Sequence, residues 1–512
     1  MSLMPATTRD QFQRPADTPR DATSKVVVTA GAAGIAVLIG VAVAGGLPVS
    51  RTVVLALLGA ALLLLVASST LLRSWQLALG AFLVWLVVED LVRKLSGNDI
   101  RIYFVKDVIY LLLLISLFTN PATRGAWRAA TGNARLPLYA LMCWAVIMAI
   151  PLAVIDWKLP VVGYRLDFLY FPLVVAGFLL AHDARILSRA LLLISLLGAA
   201  ASAVGILQAI LGPGFLSPGL PTPGLINLVL IRAGGTVYRP TGTFVDPGRF
   251  DSMAVIAVVV GLAAVLVNRG RLRAVAGVGL LVSLAAVWVS GGRSGLLQAL
   301  ALVGVALVPL MLHQRKSTLA TVGLLSLGAI AGVAAIAYVF PNLLSNRLAF
   351  YWETLNPLSG ANEWAYRWIA YTADIGRGIS LGGLVGLGTG HESLGKQYLY
   401  GGASYSTSGQ YLIEGGYAAV AVEFGLVGLA LWLVWTLSWA RRQVRLAWAE
   451  RKQPLGSAGL VLVVWIVIFL FIQFVLGFQA YQNYLANAYF WLLSGVVFGI
   501  HPALQFGGAV HK

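Results

Sequence analysis

The feature that most constrains this chain is a succession of long apolar runs that continues over nearly its whole length. A bilayer offers no water to its interior, so a spanning segment must satisfy its backbone polar groups internally, which an α-helix does. A spanning helix needs about 20 apolar residues. The sequence therefore predicts an all-α, polytopic integral membrane bundle of about 12–14 transmembrane helices. The runs lie at 26–46, 52–70, 74–90, 102–119, 136–155, 166–182, 187–211, 243–267, 274–290, 294–312, 317–339, 417–438, 458–477 and 484–500.

Composition supports the membrane class independently of the run positions. Hydrophobic residues make up 59% of the chain and charged residues 11%, whereas a soluble protein carries about 25% charged residues. The 56 glycines fit closely packed membrane helices. The single cysteine, Cys143, excludes an intramolecular disulfide and a cysteine metal cluster.

The formal net charge of +17 is explained by cytoplasmic loops and anionic lipid, so we expect the bilayer and no nucleic acid as a partner. Placing the N-terminus in the cytoplasm puts most basic clusters on the cytoplasmic side. Arg93, Lys94 and Arg101 are exceptions, since they would lie on the outer side. The clusters that agree are Arg124/Arg128/Arg135, Arg185/Arg189, Arg269/Arg271/Arg273, Arg315/Lys316 and Arg441/Arg442/Arg445/Arg451/Lys452.

This topology divides the chain into four parts. Residues 1–25 are polar and mixed in charge, which predicts a disordered cytoplasmic tail rather than a secretory signal. Residues 26–339 and 417–512 form the two parts of the transmembrane bundle. Residues 340–416 form a long extracytoplasmic loop, whose aromatic residues at near-helical spacing indicate short amphipathic helices. Those aromatic side chains could face the membrane surface, or they could stack on sugar rings.

Three arginines fall near helix ends at the predicted outer face: Arg165, Arg249 and Arg293. Arginine offers a planar set of donors that suits phosphate oxygens, and a helix N-terminus adds unsatisfied N–H groups. The glycines around Arg293 should let a phosphate approach the backbone. We therefore expect an anionic ligand at headgroup level, for example a lipid-linked pyrophosphate. The alternative is that each arginine only reaches toward lipid phosphates.

Four further charges lie inside or beside predicted spans. Glu89 and Asp90 end one run, and Lys106 and Asp107 begin the next. Intramembrane charges are costly and are often functional. For these four, we expect structural pairing among themselves.

Four motifs give the chain a resemblance to a known family. TGTFVDPGRF, VSGGRSGLLQAL, GGLVGLGTG and VEFGLVGLAL follow one another in this order between residues 241 and 431. They resemble, in the same order, the G-T-F-x-N-P, S-x-S-R-x-x-L, G-x-G-x-G and E-x-G-L-x-G-L elements of the O-antigen polymerase and O-antigen ligase family. The resemblance covers roughly residues 160–440.

The resemblance implies a bacterial inner-membrane glycosyltransferase with its active site facing the periplasm and no metal or cofactor. Its donor would be an undecaprenyl-pyrophosphate-linked oligosaccharide, and its acceptor would be a second glycan. A chain-length regulator would be a possible partner protein. Carried over by motif, Arg293, Arg249 and, less closely, Arg165 would bind the pyrophosphate. Arg367, in the outer loop, is a fourth candidate.

The chain departs from the ligase pattern where ligases carry a His-Asn pair. Here the segment reads QYLIEGGYAAVAVEFG, and Glu414 stands in that region, while His391 lies earlier in GTGHES. Either residue could act as the general base, or each could be an ordinary loop or helix-start residue. The missing pair favours an exopolysaccharide or O-antigen polymerase over a ligase that transfers glycan to lipid A-core.

A transporter or flippase of polysaccharide or lipid-linked oligosaccharide is the alternative from another class. It would require broken helices and ionisable residues near the middle of the bilayer. The sequence contains no HExxH, P-loop or Gly-x-Ser-x-Gly motif, and with 5 histidines and 1 cysteine we expect no transition-metal site.

Overall fold

A computed structural model gives the architecture of the chain. It describes residues 70–507 except 97–99, 124, 213, 217–227, 231–235, 313–340, 357–362, 394–398, 400–412, 414 and 478–480. Three predicted spans, 26–46, nearly all of 52–70 and 317–339, lie outside the described residues, as do the predicted cytoplasmic tail and Glu414.

The described part of the chain is a helical membrane protein, as predicted. Nine of its helical segments are long and apolar enough to cross a membrane. The elements are α1 (Trp75–Leu95), α2 (Val105–Phe118), α3 (Ala126–Thr131), α4 (Arg135–Asp156), α5 (Lys158–Phe168), α6 (Leu173–Leu180), α7 (Ala184–Leu211), β1 (Leu228–Leu230), β2 (Thr236–Tyr238), α8 (Pro247–Val267), α9 (Gly270–Ser290), α10 (Arg293–Leu312), α11 (Pro341–Leu355), α12 (Glu363–Gly382), α13 (Gly416–Ala449), α14 (Pro454–Val467), a π-helical turn (Ile468–Gln473) continued by Phe474–Leu476, and α15 (Tyr484–Gly507).

The chain divides into two compact units. The described residues of the smaller unit are 70–86, 103–123, 125 and 126, and the larger unit holds 87–102 and the rest of the chain from Trp127. In the smaller unit, Lys106 is buried and its amine donates to the carbonyl of Tyr103. All predicted site residues fall in the larger unit.

Helix α8 lies at the centre of the larger unit, where it packs against α7 and α9. Nearly every side chain along it is buried, which explains why its sequence is apolar all round rather than on one face. Asp246 caps its start by accepting from the backbone N–H groups of Gly248 at 2.8 Å and Arg249 at 3.1 Å. Pro247 occupies the first turn, where no N–H is needed. This start places Arg249 and Asp251 at the end of the bundle where α9 ends.

The region predicted as a long outer loop contains two substantial helices, α11 and α12. Their presence confirms the helices expected from the aromatic spacing. Helix α12 packs closely along the first part of α13. Gly378 makes this approach possible, since a Cβ there would lie 2.5 Å from the carbonyl oxygen of Ala418.

Helix α13 is broken at Gly425, whose backbone has φ 66° and ψ −170°. In an unbroken helix, the N–H groups of Leu426 and Val427 would bond to the carbonyls of Val422 and Glu423. Those N–H groups instead donate to Gly383 and Leu384, at 3.0 and 3.2 Å.

The two carbonyls released by this break are satisfied by the segment that follows α12. The N–H groups of Leu387 and Gly388 donate to Val422 at 2.8 Å and to Glu423 at 3.0 Å. Segment 383–393 therefore replaces the missing helical hydrogen bonds one for one. Irregular backbone at membrane depth is tolerated where protein satisfies it in this way.

Gly378 provides a test of the α12–α13 packing. We expect Gly378→Ala to lower the free energy of unfolding by about 1–3 kcal/mol, because the added methyl group overlaps a backbone carbonyl that cannot rotate away. Gly376→Ala, two residues earlier in the same helix, is the matched control, since nothing lies within 4 Å of a Cβ there. Thermal unfolding of both variants in detergent measures the difference, and equal midpoints would contradict the packing.

Candidate functional site

The segment 239–246 leads into α8 and is fixed by buried polar side chains. The side-chain oxygen of Gln208 accepts from the backbone N–H groups of Thr241 and Gly242, both at 2.8 Å. The buried amine of Lys94 donates to the Thr241 hydroxyl at 2.6 Å and the Gly242 carbonyl at 2.8 Å. The start of α8 is therefore held in a defined position by α1 and α7.

Arg249 lies beside a buried carboxylate. Its Nη1 is 2.8 Å from Oδ2 of Asp90, while Arg93 contacts the other carboxylate oxygen at 3.1 Å. The Arg249 guanidinium also lies over the ring of Tyr484, 5.1 Å from its centre. For Asp90, the predicted pairing with Glu89, Lys106 or Asp107 is therefore corrected, because the partners found for it are arginines. Two guanidinium groups share this one carboxylate.

The turn between α9 and α10 differs from the prediction in what fills it. A Cβ on Gly292 or Gly295 would overlap the carboxyl group of Asp251, so the space these glycines clear is occupied by an acidic side chain of the protein rather than left for a phosphate. Asp251 is buried and accepts a hydrogen bond from the Ser290 hydroxyl at 2.6 Å. Asp251 therefore lies at the N-terminus of α10, which begins at Arg293. The helix dipole favours an acidic side chain in this position.

Two arginines that sequence reasoning did not single out lie beside this turn. Gly291 adopts the left-handed conformation with φ 69°, and a Cβ on it would lie 2.8 Å from Nη1 of Arg347 and 3.1 Å from Cγ of Arg239. Nε of Arg239 donates to the Ser290 carbonyl at 3.2 Å. Two cationic side chains therefore flank one glycine, where a third residue, Arg293, begins α10.

Arg347 is the most unusual member of this group. Only 1% of it is exposed, and Nη2 donates to the carbonyl of Tyr238. Its Nε and Nη1 have no hydrogen-bond partner among the described residues. Burial, opposed by Tyr351 and reinforced by the nearby Arg239, lowers the pKa of Arg347 to about 10, which leaves it charged at neutral pH. A buried cation with two unused donors is costly unless an anion compensates it.

Aromatic side chains of α11 surround Arg293 and the end of α9. The Arg293 guanidinium lies 5.7 Å from the centre of the Phe350 ring. Tyr351 packs on Trp288 with ring centres 4.9 Å apart, and its hydroxyl donates to the Trp288 carbonyl at 3.0 Å. Some of the aromatic residues predicted to face lipid or sugar therefore hold α11 against the arginine group.

Arg165 lies in the last turn of α5, whose end contacts the segment that begins α15. The amide of Gln482 donates to Asp167 at 3.0 Å, and the hydroxyl of Tyr481 donates to the Asp167 carbonyl at 2.9 Å. The guanidinium of Arg249 lies over the ring of Tyr484, which belongs to that segment. Residues 481–484 therefore join the end of α5 to the start of α8. The helix ends bearing Arg165, Arg249 and Arg293 thus converge on one end of the larger unit.

His391 lies on segment 383–393, which also contacts α5. A Cβ on Gly163 would overlap the backbone of Gly390. Nδ1 of His391 is 3.0 Å from the carboxylate of Glu392, and both side chains are partly exposed. The backbone N–H of Glu392 donates to Oε1 of the buried Glu423 at 2.8 Å. This histidine therefore has a carboxylate neighbour and a fixed backbone.

Two predicted site residues cannot be placed by their side chains. Arg367 belongs to helix α12, but its side chain is outside the described part, and Glu414 is outside it entirely. Among the described residues, no group of three histidine, cysteine or acidic side chains could hold a metal ion.

Sequence reasoning missed Arg239, Arg347 and Asp251, although two of them had a usable signal. Arg239 and Asp251 flank the TGTFVDPGRF motif that was identified as an outer-face element. Arg347 stands among aromatic residues in SNRLAFYWETL, where a charge looks like the polar face of a surface helix. Its burial arises from tertiary contacts with β2 and the α9–α10 turn. Comparison with protein-family models and with curated protein sequences finds no match to this chain.

The pairing of Asp90 with Arg249 can be tested by a double-mutant cycle. We expect Asp90→Asn to destabilise the protein by about 3–5 kcal/mol, because it leaves buried cations uncompensated. Combining it with Arg249→Gln should recover part of that loss. Asp183→Asn, at an exposed helix cap, is the control for removing an acid. Denaturant unfolding of the wild type, of Asp90→Asn and Arg249→Gln singly and of the double variant measures the coupling energy, and additive losses would contradict a direct pair.

Proposed function

We propose that this multi-pass membrane protein is a glycosyltransferase that polymerises glycan units carried on a lipid pyrophosphate, at the extracytoplasmic face of a bacterial inner membrane. The observation that carries the proposal is Arg347, fully buried beside Arg239, with two guanidinium nitrogens that have no partner in the described structure. The motif order and the convergence of the arginine-bearing helix ends support it.

The ligand is proposed to be an anion with several oxygens, which follows from the donors available. Arginine groups bind phosphate oxygens through two parallel N–H bonds. Arg239 and Arg347 flank the left-handed Gly291, and Arg293 begins the helix that follows it. A pyrophosphate would supply acceptor oxygens for the two unused donors of Arg347, and the apolar bundle beside the group suits a polyprenyl chain.

The reaction requires no metal or redox group. An acceptor hydroxyl oxygen attacks the anomeric carbon of the donor sugar, and the bond from that carbon to the pyrophosphate oxygen breaks. The departing lipid pyrophosphate takes the electron pair, and the arginines stabilise the negative charge that develops on it. The acceptor hydroxyl loses its proton as the new glycosidic bond forms.

His391 is the proposed general base among the described residues. Its Nδ1 lies 3.0 Å from Glu392, and a carboxylate in that position stabilises the imidazolium that forms when the other ring nitrogen takes a proton. Glu414 stays an alternative base. The enzyme would be a polymerase if its acceptor is a glycan, and a ligase if its acceptor is lipid A-core. Complementation of strains that lack each activity separates the two.

A transporter of lipid-linked glycan is a second candidate that one structural observation favours. Helix α13 breaks at Gly425, close to the buried Glu423, and broken helices with intramembrane acids are typical of transporters. Movement of a fluorescent lipid-linked oligosaccharide across proteoliposome membranes, without any longer glycan product, would favour this candidate.

The arginine group yields a direct test. We expect Arg347→Gln to lower the rate of polymer formation by roughly 10²-fold, because it removes donors that would stabilise the leaving group. Arg271→Gln, an exposed arginine near the start of α9, should leave the rate unchanged. Glycan length distributions from cells that depend on each variant provide the measurement.

A binding assay in the purified protein separates loss of function from loss of folding. A polyprenyl pyrophosphate should raise the unfolding temperature of the wild type and of Arg271→Gln, but not that of Arg347→Gln, since a ligand stabilises only the fold that binds it. Normal polymer from Arg347→Gln cells, or an equal temperature rise in that variant, would contradict the assigned site.

A further inference from the structure

Two acidic side chains are buried beside segment 383–393, apart from the arginine group. Asp167 ends α5, and Glu423 lies two residues before the break in α13. Both side chains are completely buried, with 0% exposure. Gly163, one helical turn before Asp167, packs on the backbone of Gly390, and Glu423 accepts from the backbone N–H of Glu392, so both acids adjoin residues 390–392.

Each carboxyl group has one satisfied oxygen and one unsatisfied oxygen. Oδ1 of Asp167 accepts from the Gln482 amide at 3.0 Å, and Oε1 of Glu423 accepts from the Glu392 backbone at 2.8 Å. Oδ2 of Asp167 and Oε2 of Glu423 are buried and have no hydrogen-bond partner among the described residues.

Neither carboxyl group forms an ion pair with a described residue. Two buried carboxylates that adjoin the same short backbone segment cannot both be ionised without a large cost, whereas one proton removes a charge and supplies a donor.

We propose that Asp167 and Glu423 form a proton-binding site, a buried pair of carboxyl groups that holds a single proton and lies behind the loop carrying His391. The protonated group supplies the O–H donor that the pair otherwise lacks. Removal of this proton places two negative charges beside the backbone of residues 390–392, so the state of the pair acts on the position of His391.

The other titratable and charged groups around the pair come from each element that packs on it. Segment 383–393 contributes His391 and Glu392, the segment before α15 contributes the buried Tyr481, and α5 contributes Arg165 in its last turn. Glu392 adds a further acid next to Glu423, which makes double ionisation of the pair still more costly.

Infrared spectroscopy of the full-length protein in lipid nanodiscs tests the proposal without any substrate. The wild type should show the carbonyl stretch of a protonated carboxylic acid, shifted in D₂O, that is lost in Asp167→Asn/Glu423→Gln. Asp183→Asn, which removes an exposed acid, should retain it. Because no glycan or lipid pyrophosphate is added, this result does not depend on the proposed glycosyl transfer.

Two further measurements test whether the loss of the band reflects misfolding and whether a metal cation, rather than a proton, occupies the site. Asp167→Asn alone keeps the contact of Glu423 with the loop, so it should fold like the wild type and shift the band rather than abolish it. Identical spectra of the wild type, Asp167→Asn and the double variant would overturn the proposal. So would a band that grows when sodium is replaced by choline at constant ionic strength, because sodium would then be the occupant.

Discussion

The cost of a charge inside an apolar bundle determines how the larger unit is built. Asp90 sits between Arg93 and Arg249, and Asp251 lies against the start of α10, so each of these acids is compensated by a cation or a helix end. Arg347 and the Asp167–Glu423 pair are not compensated to the same degree. Since uncompensated burial is expensive, these are the places for which we propose an anionic ligand and a proton.

The two uncompensated groups have opposite chemistry and different locations. The arginines flank the turn between α9 and α10, whereas the acids lie between α5, α13 and segment 383–393. Residues 481–484 connect the acids to the start of α8, because Gln482 contacts Asp167 and Tyr484 contacts Arg249. The proposed glycosyl transfer assigns stabilisation of negative charge to the arginines and acceptance of the proton to His391, and the separate location of the acids keeps them from neutralising the arginines.

The helical fold could be predicted from the sequence because apolar run length is a local property. For example, the predicted spans 74–90 and 484–500 correspond to α1 and α15. The candidate site was predictable only in part. Arg249 and Arg293 were found at helix starts, but their partners, Asp90 and Phe350, are 159 and 57 residues away in the chain. The filling of the glycine turn by Asp251 is likewise a tertiary contact that no local pattern reports.

The exchange of hydrogen bonds at Gly425 has a consequence for motion. The amides of Leu426 and Val427 depend on the carbonyls of Gly383 and Leu384, and the carbonyls before the break depend on amides of the same segment. The segment that carries His391 therefore cannot move away without opening α13 at its break. Hydrogen exchange at the amides of Leu426, Val427, Leu387 and Gly388 should consequently proceed at one common rate. The helix and the loop then open together as a single cooperative unit.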